Sequence, residues 1–176
     1  PETGYHILPG DDVELSAAQS IDPDFAEFGD FIRFYRWDLN FDEAAGFDPE
    51  VVRRDEDGNA AEAVTLVRWA DLVVAGIDGP GEYPVRLEGE DTTRLTNTDD
   101  SVIVVHPTNP VADAFALPEI IACGGRTTLD GRGSAHNHPK IDVEIWRWDL
   151  DADGEYDDAE GPIIQAKFDR FTYGVP

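Results

Sequence analysis

The sequence predicts an all-β chain built from two tandem β-sandwiches. Short stretches of alternating apolar and polar residues recur along the chain, and this alternation is typical of half-buried strands. Clusters of Gly, Pro, Asn and Asp separate these stretches, as turns do. A third observation is an internal repeat, which indicates two copies of one domain. Residues 60–75 form the only plausible helix, although a strand over 63–67 followed by one helical turn fits equally well.

The first copy contains several clear strand patterns. Residues 13–17 alternate as a half-buried strand. Residues 31–38 carry aromatic and β-branched side chains on both faces, which predicts a central strand. Residues 82–88 also alternate, and Pro84 predicts an edge position or a bulge because proline has no N–H to donate. The β-branched residues 101–105 form the last predicted strand of this copy.

The pattern restarts after a proline-containing segment at residues 106–110, which has the composition of a linker. Residues 143–149 match residues 32–38 without a gap, and both copies continue through the shared tetrapeptide Arg-Trp-Asp-Leu. These two segments lie 111 residues apart, which indicates an internal repeat of about 110 residues. We therefore expect one domain at residues 1–107 and a second at residues 108–176.

The second copy lacks its C-terminal strands in this sequence. Residues 126–130 match 13–17, and residues 168–175 match 70–77, but no segment corresponds to the last two strands of the first copy. A sandwich without these strands leaves a core face and sheet edges open. Either the natural chain continues, or a strand from another molecule fills the gap, with residues 1–8 as a candidate donor.

The charge balance narrows the choice of partners. The chain has 13 Lys and Arg against 38 Asp and Glu, a formal net charge of −25. This field repels nucleic acid and anionic membranes and attracts cations. No apolar run approaches the roughly 18 residues that a membrane span needs, so we expect no membrane insertion. Surface solvation, as in a protein from a salty habitat, is an alternative explanation for the acids outside the two loops described next.

The segment that follows the second Trp-Asp pair is acidic and has the spacing of an EF-hand calcium loop. Aspartates alternate along its first half, and Gly154 permits a sharp turn directly after the third of them. Calcium takes six to eight oxygen ligands at about 2.3–2.6 Å, which alternate carboxylates on a tight loop can supply. The predicted calcium ligands are the side chains of Asp149, Asp151, Asp153, Asp157, Asp158 and Glu160 and the backbone carbonyl of Glu155.

The spacing alone does not determine which of the later residues of the loop bind the ion, or whether they bind it directly. Asp157 is expected to bind directly or through a water, and Asp158 could replace either Asp157 or Glu160 as a ligand. No obvious helix precedes the loop, so the pattern predicts a calcium loop at a strand end and not an EF-hand domain. A solvated acidic turn is the alternative. Repulsion among so many unneutralised carboxylates favours calcium.

The first copy carries a related loop after its own Trp-Asp pair. Asp38, Asn40 and Asp42 keep the alternate spacing, and Asp48 follows after a two-residue insertion. The glycine directly after the third ligand is missing. These four residues are a second candidate calcium site. Bound calcium would stabilise the folded chain at either loop, because the ligands converge only in the native state.

Several stretches, taken in order, resemble the PKD (polycystic kidney disease) domain family. In the first copy these are residues 10–24 (GDDVELSAAQSIDPD), 35–39 (YRWDL) and 81–91 (GEYPVRLEGED), and in the second copy 125–134 and 146–149. The resemblance implies immunoglobulin-like sandwiches, usually extracellular, that serve as spacer, adhesion or accessory modules, and it does not imply catalysis. The second copy departs from the family pattern in two ways. His136-Asn137-His138 replaces the Asp-Pro-Asp turn, and the closing strands are missing.

These observations predict an extracellular, calcium-stabilised structural or adhesion module, either a stalk or a filament subunit. Its expected partners are other domains of the parent chain or neighbouring copies. The alternative is an accessory carbohydrate-binding module of a secreted hydrolase, with Tyr156, Phe171 and Tyr173 as candidate aromatics for a glycan.

We do not expect an enzyme. No phosphate-binding glycine loop or serine nucleophile motif occurs in the sequence. Cys123 is the only cysteine, so no internal disulfide forms, and its apolar neighbours predict a small buried side chain rather than a catalytic thiol.

Overall fold

The structure is a computed structural model that describes residues 4–23 and 25–167. It is 39% strand and 8% helix, which confirms the all-β class. The chain divides into two compact units, Pro1–Pro107 (unit 1) and Thr108–Pro176 (unit 2). Whether each unit is a PKD-like domain stays a prediction.

The regular elements are short. The strands of the described ranges are β1 (Tyr5–Ile7), β2 (Val13–Ser16), β3 (Ile32–Leu39), β4 (Val51–Arg54), β5 (Val64–Val67), β6 (Gly81–Asp91), β7 (Thr96–Val105), β8 (Phe115–Leu117), β9 (Arg126–Asp130), β10 (Arg147–Trp148), β11 (Ala159–Glu160) and β12 (Ile163–Lys167). The α-helices of the described ranges are α1 (Phe25–Phe28) and α2 (Trp69–Val74), and Ala61–Ala63 form a short 3-10 helix before β5. Residues 60–75 therefore follow the second sequence interpretation, a strand followed by a short helix.

Unit 1 contains a five-stranded sheet in the order β1-β7-β6-β3-β4 and a two-stranded sheet of β2 and β5. Strand β3 is internal, as its two-sided pattern predicts. Strand β6 is also internal, so the edge position predicted from Pro84 is wrong. Pro84 lies one residue beyond Val85, which is the last β6 residue paired with β3. The missing N–H therefore falls where the ladder with β3 has already ended.

The main hydrophobic core lies in unit 1, between these two sheets. Leu15 of β2, Val85 of β6 and Ile103 of β7 are fully buried in one cluster. Trp37 on β3 is only 3% exposed and lies opposite Leu87 of β6. Both sheets contribute to the cluster, so unit 1 buries a continuous apolar interior.

Unit 2 has a three-stranded sheet in the order β12-β9-β8 and a two-stranded sheet of β10 and β11. Ala166 is the one buried hydrophobic residue in the described part of unit 2, residues 108–167. Cys123 is exposed, so its predicted burial is wrong. The apolar residues around it are not buried, because the described part of this unit has little apolar interior.

The candidate donor strand at the start of the chain is partly described. Tyr5–Ile7 form β1, which pairs in parallel with β7 of the same unit. A donor role for residues 1–8 would require β1 to leave β7. The segment 168–175, which the sequence repeat aligns with 70–77, lies outside the described residues.

Gly58 provides a test of the loop between β4 and β5. Its φ is +72°, and an added Cβ would lie 2.9 Å from Cγ of Phe31. We expect Gly58→Ala to lower the free energy of unfolding by about 1–3 kcal/mol, through left-handed backbone strain and this clash. Urea unfolding followed by tryptophan fluorescence measures the change. Gly29→Ala is the matched control, because Gly29 has φ +70° but no neighbour within 4 Å of an added Cβ. Equal losses for the two variants would contradict the clash.

Candidate metal centre

Three carboxylates converge in the loop that connects β10 to β11. Asp149, Asp151 and Asp158 each offer an oxygen that lies within 4.8 Å of the other two. Asp149 directly follows β10 and Asp158 directly precedes β11, so the loop brings the two strand ends and their carboxylates to one point. Three carboxylate oxygens at this separation are a donor set that could hold a metal ion.

Hydrogen bonds from backbone N–H groups to aspartate carboxylates hold this loop in a tight turn. The two carboxylate oxygens of Asp149 accept the N–H groups of Ala152 at 2.7 Å and Gly154 at 3.0 Å. Oδ2 of Asp158 accepts the N–H groups of Leu150 at 2.6 Å and Asp151 at 3.2 Å. Gly154 has φ +95°, a conformation that favours glycine. The loop is therefore preorganised by the carboxylates that would bind the ion.

The other predicted ligands lie outside this group of three. Asp153 accepts the N–H of Glu155 at 2.8 Å, and the side chains of Glu155 and Asp157 are exposed. Glu160 lies on β11, and its carboxylate is 3.9 Å from the guanidinium of Arg147. The structure thus places Asp158, and not Asp157 or Glu160, beside the first two aspartates.

The electrostatics of the loop favour a cation. The pKa of Asp151 is raised, first by desolvation and then by the negative charges of Asp153, Asp158 and Asp149, against the opposing hydrogen bond from the N–H of Asp153. A raised pKa means that the ionised form is disfavoured in this setting. A bound cation would relieve that repulsion.

The candidate site in the first copy is arranged differently. Asp38 is buried and accepts the N–H of Asp48 at 2.7 Å, while Asp42 accepts the N–H of Ala44 at 2.8 Å. Asn40 has φ +57° and donates from Nδ2 to the carbonyl of Ala75 at 3.4 Å. Within the described ranges, the carboxylates of this loop do not form a group of three within 4.8 Å. These side chains bond to the backbone of their own and neighbouring loops.

A second group of three carboxylates was missed in the sequence. Asp22, Asp30 and Asp91 also place oxygens within 4.8 Å of one another. Asp30 is buried and accepts from the N–H and the hydroxyl of Thr92. The three aspartates come from separate turns and from the end of β6, so no spacing in the sequence connects them. The Asp-Pro turn at residues 22–23 was the one available signal.

The pKa of Asp91 in this second group is lowered. Burial acts to raise it, but hydrogen bonds from the backbone N–H of Leu95, from Thr93 and from the N–H of Arg94 outweigh that effect. The ionised form of Asp91 is therefore already stabilised by the protein itself.

An aromatic cleft lies next to the loop of unit 2. It has a volume of about 310 Å³ and is lined by Val143, Ile145, Trp146, Trp148 and Tyr156, among others. The indole N–H of Trp146 donates to the carbonyl of Gly131, and that of Trp148 to the carbonyl of Gly161, both at 2.8 Å. These bonds orient both indole rings in the wall of the cleft.

Only one of the three aromatic residues proposed to bind a glycan lies in the described part of the chain. Tyr156 is 64% exposed and lies at this cleft. Phe171 and Tyr173 lie outside the described residues. The predicted row of three aromatic rings is therefore not tested.

No protein-family model matches this chain, and comparisons with curated proteins and with solved structures find no match. None of the helices in the described ranges has the length and hydropathy that crossing a bilayer requires. Function must therefore be inferred from the geometry of the two units.

Proposed function

We propose that the protein is a calcium-stabilised structural or adhesion module of the extracellular, PKD-like kind. The observation that carries the proposal is the convergence of Asp149, Asp151 and Asp158 in one preorganised loop. Calcium is a hard cation that binds six to eight oxygens, and carboxylates are its usual protein ligands. Asp153, Asp157 and the carbonyl of Glu155 lie in the same loop and are candidates for the remaining positions.

The position of the loop favours a structural role for the ion. The loop joins β10 to β11, so an ion bound there would tie together the ends of two paired strands. The described strands of unit 2 enclose little apolar interior, and the ion would supply stability that this part of the unit does not. At about 2 to 20 times its Kd, an ion that binds only the folded state stabilises a fold by about 0.7–1.8 kcal/mol. Extracellular modules typically bind calcium with a Kd in the range of about 0.1–1 mM.

The resemblance to PKD domains supports the same role, and so does the strong negative charge. A net charge of −25 concentrates cations near the surface and disfavours anionic partners. Spacer and adhesion modules work in the presence of millimolar calcium, where a weak site is filled. The proposed role needs no catalytic residue.

Calcium should raise the thermal stability of the chain. We expect 2 mM calcium to increase the melting temperature of unit 2 by several degrees over a sample in EDTA, because the ion binds the folded loop alone. Asp151→Asn should abolish most of this increase, since it removes one charge from the group of three and retains the shape of the side chain. Differential scanning calorimetry measures both effects.

Asp142→Asn is the matched control for this experiment. Asp142 is exposed in the same unit and lies outside the group of three, so the variant should keep the calcium response of the parent chain. If the parent chain melts at the same temperature in calcium and in EDTA, the proposed structural role is wrong.

A further inference from the structure

The inner face of the five-stranded sheet in unit 1 changes its chemistry along β7. Residues in register on neighbouring strands share one face of a sheet. Ile103 and Val105 of β7 are buried in the core cluster. Earlier on the same strand, Asp99 pairs with Leu87, and Leu87 pairs with the buried Trp37. Asp99 therefore stands on the core face, yet it is exposed.

The inward positions on either side of Asp99 are polar as well. Asn97 pairs with Gly89, and Gly89 pairs with the buried Tyr35. Ser101 is the next inward position along β7. A strand of an antiparallel sheet normally turns its apolar side chains towards the core. Three polar inward residues in succession indicate that this end of the face does not receive a packed layer of the core.

Two adjoining cavities lie over this end of the face, and we call them together the inner groove. Their volumes are about 840 Å³ and about 400 Å³, and Ser20, Leu87 and Asp99 line both of them. Small-molecule sites in proteins typically have volumes of about 300–1,000 Å³. The inner groove therefore has room for a small-molecule ligand.

One side chain of the inner groove carries a buried donor that has no partner. Trp37 lines the larger cavity and is 3% exposed, and its indole N–H finds no acceptor in the described part of the chain. Buried donors are normally hydrogen-bonded, as the indole N–H groups of Trp146 and Trp148 are. A ligand oxygen in the larger cavity is the acceptor that the protein itself does not supply.

Gly89 keeps the smaller cavity open. It lies in the interior of β6 and lines this cavity. Its φ is outside the left-handed region, and the nearest atom to an added Cβ would be Cγ2 of Ile32, at 3.5 Å. Neither backbone strain nor crowding therefore requires a glycine. Glycine inside a strand weakens it and often marks a place where a ligand approaches the backbone closely.

The lining determines the chemistry of the ligand. None of the described residues that line the inner groove is Lys, Arg or His, so the groove offers no charge to an anion. The indole N–H of Trp37 needs an acceptor, whereas the carboxylate of Asp99 needs a donor, and a hydroxyl group can be either. An ammonium group can only donate. Ile21 and Leu95, 80% and 70% exposed at the smaller cavity, offer apolar contacts to CH groups.

We propose that the inner groove binds a neutral saccharide, with one sugar hydroxyl accepting from the indole N–H of Trp37 and another donating to the carboxylate of Asp99. A sugar ring presents both hydroxyl and CH groups, which match the polar and apolar parts of this lining. A neutral ligand is also not repelled by the net charge of −25. The inference is independent of the calcium proposal, because the groove lies in unit 1 and the calcium loop in unit 2.

Nuclear magnetic resonance of the full chain tests the contact with Trp37. The chain has four tryptophans and therefore four indole N–H signals, and Trp37→Phe identifies the signal of Trp37 by its loss. The probes are cellohexaose, mannohexaose and N-acetylchitohexaose. We expect at least one of them to shift the Trp37 signal saturably. The signals of Trp146 and Trp148 should stay in place, because these N–H groups already donate to carbonyls.

Variants of the full chain locate the saccharide, with affinity measured by isothermal titration calorimetry. Asp99→Ala should weaken binding at least about tenfold, because it removes a charged acceptor. Gly89→Val should weaken binding as well, since its side chain would enter the smaller cavity. Glu82→Ala is the matched control, because Glu82 is an exposed acid on β6 that lines neither cavity. Scanning calorimetry of the same samples shows that each variant is folded.

Three outcomes would overturn the inference. The first is a Trp37 signal that none of the three hexasaccharides shifts at about 10 mM in a folded chain, since water alone would then fill the groove. The second is equal weakening by Asp99→Ala and Glu82→Ala. The third is a shift of the Trp146 or Trp148 signal without one of Trp37, because the saccharide would then occupy the aromatic cleft of unit 2. None of these results bears on the calcium response of the melting temperature.

Discussion

Trp37→Ala is expected to lower the free energy of unfolding of unit 1 by about 3–5 kcal/mol. Trp37 is 3% exposed and packs in the core cluster against strands of both sheets. Alanine would remove most of this contact area and leave a cavity that the surrounding β-sheets cannot fill. The loss is comparable to the whole stability of a small domain, so the variant should be largely unfolded at 37 °C.

Guanidinium unfolding followed by far-ultraviolet circular dichroism measures this loss. Trp37→Phe should cost under about 2 kcal/mol, because it keeps a ring in the core and removes an indole N–H that donates no hydrogen bond within the described residues. Val74→Ala is the surface control, since Val74 is 87% exposed. A loss below about 1 kcal/mol for Trp37→Ala would contradict the packing of β3 in the core.

The second large effect is expected at Asp55, which organises the loop after β4. Asp55 is 2% exposed, and its carboxylate accepts the N–H groups of Asp57 at 3.1 Å, Gly58 at 3.0 Å and Ala60 at 2.7 Å. Asp55→Ala would leave three backbone donors without their acceptor. We expect the free energy of unfolding to fall by about 2–4 kcal/mol. Glu62→Ala, an exposed acid on the same connection, should change it by under about 0.5 kcal/mol.

The effect of Asp55 should also depend on pH. Burial acts to raise the pKa of Asp55, but the hydrogen bonds from the N–H groups of Asp57, Ala60 and Gly58 outweigh it, so the folded pKa lies below the ordinary value of 3.8. A carboxyl with a lowered folded pKa stabilises the fold fully above its unfolded pKa, and the stabilisation is lost as the pH falls through the folded pKa.

The parent chain and Asp55→Asn should therefore differ most at pH 6–7 and converge below pH 3.8. Urea unfolding at several pH values tests this expectation. A difference that grows as the pH falls would mean that the folded pKa is raised.

The sequence predicted much of the architecture for identifiable reasons. The aromatic and β-branched residues of β3 predicted an internal strand, because large side chains on both faces need cover on both faces. The loop after β10 was predicted to turn at Gly154, and it does so with a left-handed φ. Patterns of this kind depend only on residues that are close in the sequence, so they can be recognised without knowledge of the tertiary structure.

Other features depend on contacts that no local pattern encodes. Pro84 predicted an edge strand, but β6 is an internal strand. The proline is tolerated there because the pairing of β6 with β3 ends before it reaches Pro84. Cys123 lies in an apolar stretch and is exposed, because unit 2 supplies few apolar neighbours to cover it.

The acidic loop contains both kinds of information. Composition and spacing determined by themselves that a carboxylate-rich, glycine-containing turn follows the Trp-Asp pair of each copy. Tertiary structure decided which carboxylates meet: Asp158 joins Asp149 and Asp151, because the pairing of β10 with β11 returns the chain to that point. It also brought together Asp22, Asp30 and Asp91, which no spacing connects. Sequence determines which donors a turn can offer, whereas the distances between donors are set by the strand pairing that closes the loop.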